Sequence, residues 1–292
     1  MTEKNKNNKR EKLNWTLIKK RILFNKKAVF GALFLSIIML SAIFAPYIAP
    51  HDPIEQNMRE RLKPPSRKYP LGTDSFGRDI LSRIIFGARV SLRIGFIAVG
   101  IGLVFGCTLG VLAAYYGGFI DTIIMRFIDI MLSLPGLLLA LAIISALGKS
   151  LMNLMIAVGI AYIPVFTRLM RSTVLSIIEK EYIISGRALG NNDLQIIFKH
   201  VIPNSMNAVI VQATLYMATA ILSAAGLSFL GLGAQPPTPE WGSMIAQARQ
   251  FIRVSHYPMT FPGLAIVITC LSINLVGDGL RDALDPKTLE HN

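Results

Sequence analysis

Long runs without a charged residue are the feature that most constrains the fold of this 292-residue chain. Six stretches contain no Asp, Glu, Lys or Arg, and roughly 20 apolar residues are enough to cross the core of a bilayer. The sequence therefore predicts an all-α integral membrane protein with six transmembrane helices. The runs cover residues 28–51, 94–120, 130–148, 151–167, 201–239 and 254–277. We expect the fourth span to reach about residue 173 and the fifth to end near Leu230, because three prolines follow it.

The basic residues are distributed in a way that argues for a membrane topology and against nucleic-acid binding. The net charge is +13, and ten Lys and Arg residues lie between Lys4 and Lys27, before the first span. The positive-inside rule then places the N-terminus in the cytoplasm, and six spans return the C-terminus there. The amphipathic segment from Trp15 to Phe24 is either a simple orientation signal or a contact with membrane lipid.

A glycine stripe in the second span and charged residues at the start of the third span indicate how these helices pack. Gly102, Gly106 and Gly110 form a small-residue stripe that allows close helix packing, either inside this chain or against a partner subunit. The third span is predicted as one helix over residues 120–147, about 42 Å long. Its first turns carry Asp121, Arg126 and Asp129. These charges either line a pathway or pair structurally, with Arg126 and Asp129 three residues apart on one face.

Motifs for chemistry are weak. Gly148-Lys149-Ser150 imitates the end of a phosphate-binding loop, but Ile143 stands where its first glycine belongs, so no ATP chemistry is expected in this chain. The four histidines are too scattered for a metal site. Ser228 and His256 are only weakly similar to the serine and histidine of an intramembrane serine protease. Cys107 and Cys270 are expected to be buried small side chains rather than a disulfide.

Residues 181–204 form a polar insert in which several local signals agree. Gly190 is a favoured residue for ending a helix, and Asn192 with Gln195 forms a variant of the capping box that starts another. Leu194, Ile197, Phe198 and Val201 repeat with helical spacing and predict one apolar face. Pro203 is expected to close the element before the fifth span. The insert is therefore predicted to be a helix pair that presents its apolar face to a partner.

The insert resembles the coupling loop of ABC-importer permeases. That pattern reads Glu-Ala-Ala, three residues, Gly, nine residues, Ile, one residue, Leu-Pro, and Gly190 and Pro203 stand at the matching spacing. Ile184, Ser185, Gly186 and His200 depart from the pattern, and Ile202 replaces the leucine. The run Arg187-Ala188-Leu189-Gly190 with Asp193 is similar to the peptide and nickel branch of that family.

Further motifs, in the same order as in that branch, extend the resemblance over roughly residues 45–287. They are Pro70-Leu71-Gly72-Thr73-Asp74, Gly77-Arg78-Asp79, Gly87-Ala88-Arg89, the segment from Leu227 to Gly233, Gln235-Pro236-Pro237-Thr238-Pro239 with Trp241-Gly242, and Leu280 to Pro286. The resemblance places the Arg-rich first loop outside the cell. It implies a C-type subunit with a type I permease fold and a cytoplasmic coupling helix pair.

The resemblance also implies a function and partners. The chain would be a non-enzymatic permease subunit of an ATP-driven importer for dipeptides or oligopeptides in the bacterial plasma membrane, working by alternating access. Its partners would be a homologous second permease, two ATP-binding subunits that hold ATP and Mg, and an extracytoplasmic binding protein. Uptake of nickel or a metal chelate remains an alternative within the class, and a non-transport membrane protein is an alternative outside it.

The resemblance assigns residues to two surfaces. The ATPase-coupling residues are Gly186, Arg187, Ala188, Leu189, Gly190, Asp193, Leu194 and Pro203. Gln235, Pro236, Pro237 and Trp241 either cap the outer mouth or dock the binding protein. The chain divides into a basic segment (1–27), the first span and loop (28–85), a five-span core (86–283) with the coupling insert (176–204) and outer loop (231–258), and a cytoplasmic tail (284–292).

Overall fold

The computed structural model describes residues 24–284, and these residues form a bundle of helices with no strand beyond one isolated bridge between Thr73 and Asp79. The predicted segment from Trp15 to Phe24, except for Phe24 itself, and the predicted tail after residue 284 lie outside the described residues. The helices are α1 (Lys26–Ile43), α2 (Ala45–Ile48), α3 (Ile80–Tyr116), α4 (Gly118–Leu132), α5 (Gly136–Leu147), α6 (Leu151–Ile178), α7 (Glu181–Ala188), α8 (Asp193–Ile196), α9 (Ile202–Phe229), α10 (Trp241–Ala248) and α11 (Tyr257–Leu284).

Six apolar spans are present when α4 and α5 are taken together, as the sequence predicts. In the described part of the chain, five helices are long and apolar enough to cross a membrane alone, counting α8 to α9 as one helix. We call the end of the bundle that carries α7 and α8 the insert end. The opposite end, which carries the connections from α2 to α3 and from α9 to α11, is the loop end.

The third span is broken, and the prediction of one straight helix over residues 120–147 is wrong. α4 and α5 meet at an angle of 88° across a break of three residues. Pro135 lies at the break in an extended conformation. Proline has no N–H for the helical ladder, and its ring disfavours helical backbone at the preceding residue, Leu134. These two effects end α4 and allow α5 to start in a new direction.

The glycine stripe of α3 packs inside the chain, which decides between the two alternatives left open by the sequence. A Cβ atom built on Gly106 would lie 2.6 Å from the Cβ atom of Phe166 and 2.8 Å from the carbonyl oxygen of Ile163, both on α6. A Cβ atom built on Gly110 would lie 2.6 Å from the carbonyl oxygen of Thr167, also on α6. The two backbones thus approach closely, and α3 and α6 form the most extensive helix contact in the described structure.

Pro203 does not close the insert, contrary to the prediction. It occupies the first turn of α9, where a missing N–H is tolerated. A wide π turn over Ile197–Val201 joins α8 to α9, and the N–H of Ile202 donates to the carbonyl of Ile197, five residues earlier. The extra residue in this turn lets the helix run on through the proline. The insert is therefore continuous with the fifth span.

The loop end is held by a buried polar network. Asp74 accepts a hydrogen bond of 2.6 Å from Arg78 Nε, and Arg83 Nε lies 3.6 Å from the same carboxylate. Arg83 is 1% exposed and also donates to the carbonyl oxygens of Pro53 and Pro237, at 2.9 and 3.4 Å. The network ties the α2–α3 loop to the α9–α10 loop.

Cys107 and Cys270 are both free thiols.

Candidate functional site

The reversal between α7 and α8 has the geometry of a Schellman motif centred on Gly190. The N–H of Gly190 donates to the carbonyl of Arg187 at 3.0 Å, and the N–H of Asn191 donates to the carbonyl of Gly186 at 3.2 Å. Gly190 has a φ of +83°, a left-handed conformation that a residue with a Cβ adopts at a cost. The sequence-based assignment of Gly190 as the helix-ending residue agrees with this backbone.

The start of α8 is capped in the way that the sequence pattern suggests. The Asn192 side chain accepts from the N–H of Gln195 at 2.8 Å, while the Gln195 side chain accepts from the N–H of Asn192 at 3.1 Å. This reciprocal capping box satisfies two N–H groups that the helix itself leaves unpaired. The two helices of the insert are therefore set by local hydrogen bonds that the chain encodes within about ten residues.

One side chain outside the insert holds both of its helices, and sequence reasoning missed it. Tyr115, in the last turns of α3, donates a hydrogen bond of 2.7 Å to Asp193 Oδ1 on α8. The guanidinium of Arg187 on α7 lies over the same ring, 5.2 Å from its centroid. A tyrosine at the end of a span offers an apolar body and a polar tip, which is the signal that would have pointed to it. We call this contact the Tyr115 brace.

Four large apolar side chains of the insert are exposed. Leu189 is 84% exposed, Phe198 68%, Leu194 62% and Ile184 58%. We call these four residues the insert patch. Four large apolar side chains exposed on one short, otherwise polar insert mark an interaction site.

The predicted single apolar face of α8 is wrong, because its four residues point in two directions. Leu194 and Phe198 belong to the exposed insert patch. Ile197 and Val201 are buried in a cluster that also contains Ile183, Ile196 and residues of α3 and α6. The buried residues anchor the insert on the bundle, while the exposed ones remain free for contact. The π turn, which sequence reasoning did not predict, separates the two sets by adding one residue to the turn.

The remaining predicted coupling residues lie around this patch with different exposures. Gly186 is buried and serves as the carbonyl acceptor of the Schellman motif. Arg187 and Ala188 at the end of α7, Asp193 at the start of α8 and Pro203 at the start of α9 are exposed. The structure thus brings the predicted set together on one element, with Gly186 in a supporting position.

The charges of α4 pair with α6 and not with each other. Arg171 donates two hydrogen bonds of 2.6 Å to Asp121, one to each carboxylate oxygen. Arg168 reaches Asp129 at 2.6 Å. The local pair of Arg126 with Asp129 inferred from the sequence is not formed, and Arg126 has no ion pair among the described residues. The planar guanidinium of Arg171 thus binds Asp121 through two parallel hydrogen bonds. Sequence spacing within α4 gave no sign of these partners.

At the loop end, the predicted outer-mouth residues separate into exposed and buried positions. Gln235, Pro236 and Pro237 are exposed. Trp241 is 2% exposed, and its Nε1–H donates to the carbonyl of Ile84 at 3.1 Å, so docking through Trp241 is excluded. Its ring fills the space that a side chain at position 87 would occupy, where the chain has glycine.

Glu240 precedes Trp241 and caps α10. Its two carboxylate oxygens each accept a hydrogen bond of 2.8 Å, from the N–H groups of Gly242 and Ser243. The side chain is almost fully buried, and this burial raises the pKa of Glu240 above its ordinary value, although the two N–H groups oppose the rise. The residue is thus a structural cap within the α9–α11 connection.

The described residues contain no group of three or more His, Cys, Asp or Glu side chains that could hold a metal ion. Ser228, considered above as a protease nucleophile, is buried against Gly233 near the end of α9.

Comparisons with known proteins identify the family. Residues 106–290 match the family of binding-protein-dependent transport system inner membrane components. The chain belongs to this family. Residues 14–65 also match the N-terminal transmembrane domain of oligopeptide transport permease C. The chain is therefore an ABC-importer permease of the C type, and the metal-uptake and protease alternatives are not favoured.

Several similar proteins are permeases with named substrates. The chain is 50% identical to the dipeptide transport system permease protein DppC of Alkalihalophilus pseudofirmus, over 94% of this chain and 90% of that one. It is 49% identical to the di/tripeptide transport system permease protein DppC of Pseudomonas aeruginosa, over 90% and 89%. The glutathione transport system permease protein GsiD of Pectobacterium atrosepticum is 44% identical, over 94% and 91%.

Solved structures support the fold of the core. An inward-facing form of the MetNI methionine ABC transporter matches with a TM-score of 0.57 at 20% identity, covering 70% of this chain and 98% of that one. An amino acid ABC transporter crystallised with histidines matches with a TM-score of 0.54 at 14% identity, covering 69% and 94%. The all-α permease fold predicted from the sequence is confirmed.

Proposed function

We propose that this permease imports dipeptides or other short peptides across the bacterial plasma membrane, driven by ATP hydrolysis in separate subunits. The names of the relatives support the substrate class, since three of them carry dipeptides, di/tripeptides or glutathione. The family description supports delivery by an extracytoplasmic binding protein. A second, homologous permease would complete the pathway.

The insert patch is the observation that carries the proposed coupling. Ile184, Leu189, Leu194 and Phe198 form an exposed apolar surface on an element that is itself anchored by buried residues. Two ATP-binding subunits, which hold the ATP and Mg, would each offer a groove to one permease, and this chain would fill its groove with the patch. Closure of the ATP-binding subunits would then move the insert, and the spans would switch between two global arrangements.

The Tyr115 brace supplies the route for this movement into the bundle. It joins α7 and α8 to the end of α3, and α3 packs backbone to backbone on α6. The topology supports termini on the cytoplasmic side together with the insert. Asn25 at the start of α1 donates a hydrogen bond to Asp282 at the end of α11, at 3.2 Å.

Co-purification tests the docking. The double variant Leu194→Asp, Phe198→Asp places two charges in the patch without touching the buried anchor, so less ATP-binding subunit should co-purify with the permease from membranes. Val254→Asp is the control, because Val254 is 77% exposed at the loop end. Equal recovery of the ATP-binding subunits with the double variant and with wild type would refute docking through the patch.

Peptide uptake tests the substrate class. Cells that lack this gene should lose uptake of labelled dipeptides, and the wild-type gene should restore it. Undiminished dipeptide uptake by the deletion strain, with its other peptide permeases also removed, would contradict the proposed substrate.

A further inference from the structure

A cavity of about 270 Å³ lies where the third span breaks. It lies between the end of α4, the start of α5 and the facing sides of α6 and α9, and it is partly open to the outside of the chain. Its lining includes Leu132, Leu134 and Gly136 from the break and four hydroxyl-bearing residues, Tyr162, Tyr216, Thr219 and Ser223. The size is near the lower end of small-molecule sites, which is about 300 Å³.

The position of the cavity is deep in the bundle. Tyr162 is the twelfth of the 28 residues of α6, so it lies about 17 Å along the helix from the loop end at 1.5 Å per residue. That depth is near the middle of a bilayer core about 30 Å thick. The cavity thus lies far from both ends of α6.

The backbone at the break has polar groups that its own helices leave unpaired. Residues 132–138 are exposed, and Pro135 offers no N–H to the carbonyl of Met131. The first N–H groups of α5, at Gly136 and Leu137, have no acceptor within their own helix. Irregular backbone at membrane depth is tolerated where it is buried in protein or lines a water-filled cavity, but not against lipid. The break therefore needs protein or water beside it, and the four hydroxyl-bearing residues of the cavity lie on one of its sides.

The polar groups of the cavity are all neutral. No residue of its described lining is charged. The Tyr162 hydroxyl and the Ser223 hydroxyl are 3.4 Å apart, and Thr219 Oγ1 lies 3.4 Å from the carbonyl of Leu215. Good hydrogen bonds between hydroxyl groups and oxygen acceptors are about 2.5–3.0 Å long, so these contacts are weak. The hydroxyls retain capacity to bond a ligand.

We propose that this cavity, the hydroxyl cavity, binds the main-chain amide groups of a short peptide during its passage. This inference rests on the proposed import of peptides. Hydroxyl groups both donate and accept, which matches the alternating N–H and C=O groups of a peptide backbone. The rings of Tyr162 and Tyr216, packed edge to face at 5.0 Å, supply an apolar wall. A lining without charge does not select among charged side chains, so peptides of varied sequence fit.

Uptake kinetics test the binding. The double variant Thr219→Val, Ser223→Ala removes two hydroxyls with little change of volume. We expect the KM for dipeptide uptake in cells to rise by at least about fivefold, the effect of losing one hydrogen bond. Ser145→Ala on α5 is the matched control, because that exposed hydroxyl bonds the carbonyl of Leu141 and does not line the cavity. Unchanged uptake kinetics of the double variant would overturn the proposal.

Thiol labelling tests the aqueous character without relying on transport. In a full-length chain carrying Cys107→Ala and Cys270→Ala, Thr219→Cys should react with a charged methanethiosulfonate, and added dipeptide should slow the reaction. Val267→Cys, at a 60% exposed apolar position of α11, should remain unreactive. Equal, slow reaction at both positions would overturn the hydroxyl cavity. Absence of dipeptide uptake by wild-type cells would instead refute the proposed function, so the two failures are distinguishable.

Discussion

Tyr115→Phe removes one oxygen atom from the brace between the bundle and the insert and leaves the aromatic ring beneath Arg187. The lost hydrogen bond is 2.7 Å long and ends on a carboxylate. Bonds to charged groups contribute about 1.5–3 kcal/mol. Because Asp193 is exposed and water competes for it, we expect the lower end of that range, about 1.5 kcal/mol. The fraction of molecules with a detached insert should therefore rise about tenfold.

Hydrogen–deuterium exchange of the α8 amides in the purified protein measures this change. The Asp193→Ala variant should show faster exchange as well, both from the lost hydrogen bond and from the loss of a negative charge at the helix start. A double-mutant cycle isolates the bond, since both single variants remove it and the effects should fall short of additivity by about 1.5 kcal/mol. Strict additivity, or unchanged exchange in Tyr115→Phe, would refute the brace.

Two further predictions concern stability. Gly106→Ala places a Cβ atom 2.6 Å from Phe166 and should lower the free energy of unfolding by about 1–3 kcal/mol. The control is Gly100→Ala on the same helix, whose Cβ atom meets nothing within 4 Å, so this variant should be neutral or slightly stabilising. Thermal unfolding in detergent measures both variants, and equal melting temperatures would contradict the close packing. Glu240 has a raised pKa because it is buried, so stability should increase as the pH falls through that pKa toward the ordinary value of 4.5. Glu240→Gln should lack this part of the pH dependence, and an identical slope in both proteins would contradict the assignment.

The sequence predicts the features of this fold that depend on neighbours along the chain. Apolar runs define the six spans, since each needs only length and composition. The Schellman motif at Gly190 and the capping box at Asn192 follow from residues within a few positions of each other. These local signals also identify the element that carries the candidate site.

The features that depend on tertiary contacts were not predictable in this way. Asp121 accepts hydrogen bonds from Arg171, which is 50 residues later in the chain. Tyr115 donates a hydrogen bond to Asp193, which is 78 residues later. Only the packed structure shows the Trp241 ring buried over Gly87, which excludes docking through Trp241 and leaves the alternative of a cap. The bend at Pro135 had a local signal, yet the long apolar run concealed it because both halves are hydrophobic.

The coupling of ATP hydrolysis to transport through the insert is tested most directly at Gly190. A leucine at position 190 must adopt a left-handed conformation, which costs roughly 1–2 kcal/mol. Asparagine tolerates this conformation. No atom lies within 4 Å of a Cβ atom at this position, so neither side chain clashes there. In proteoliposomes that contain the whole transporter, Gly190→Leu should insert normally but lose peptide uptake and substrate-stimulated ATPase activity together, while Gly190→Asn retains most of both. Normal uptake by Gly190→Leu would contradict the assignment of the insert as the coupling element.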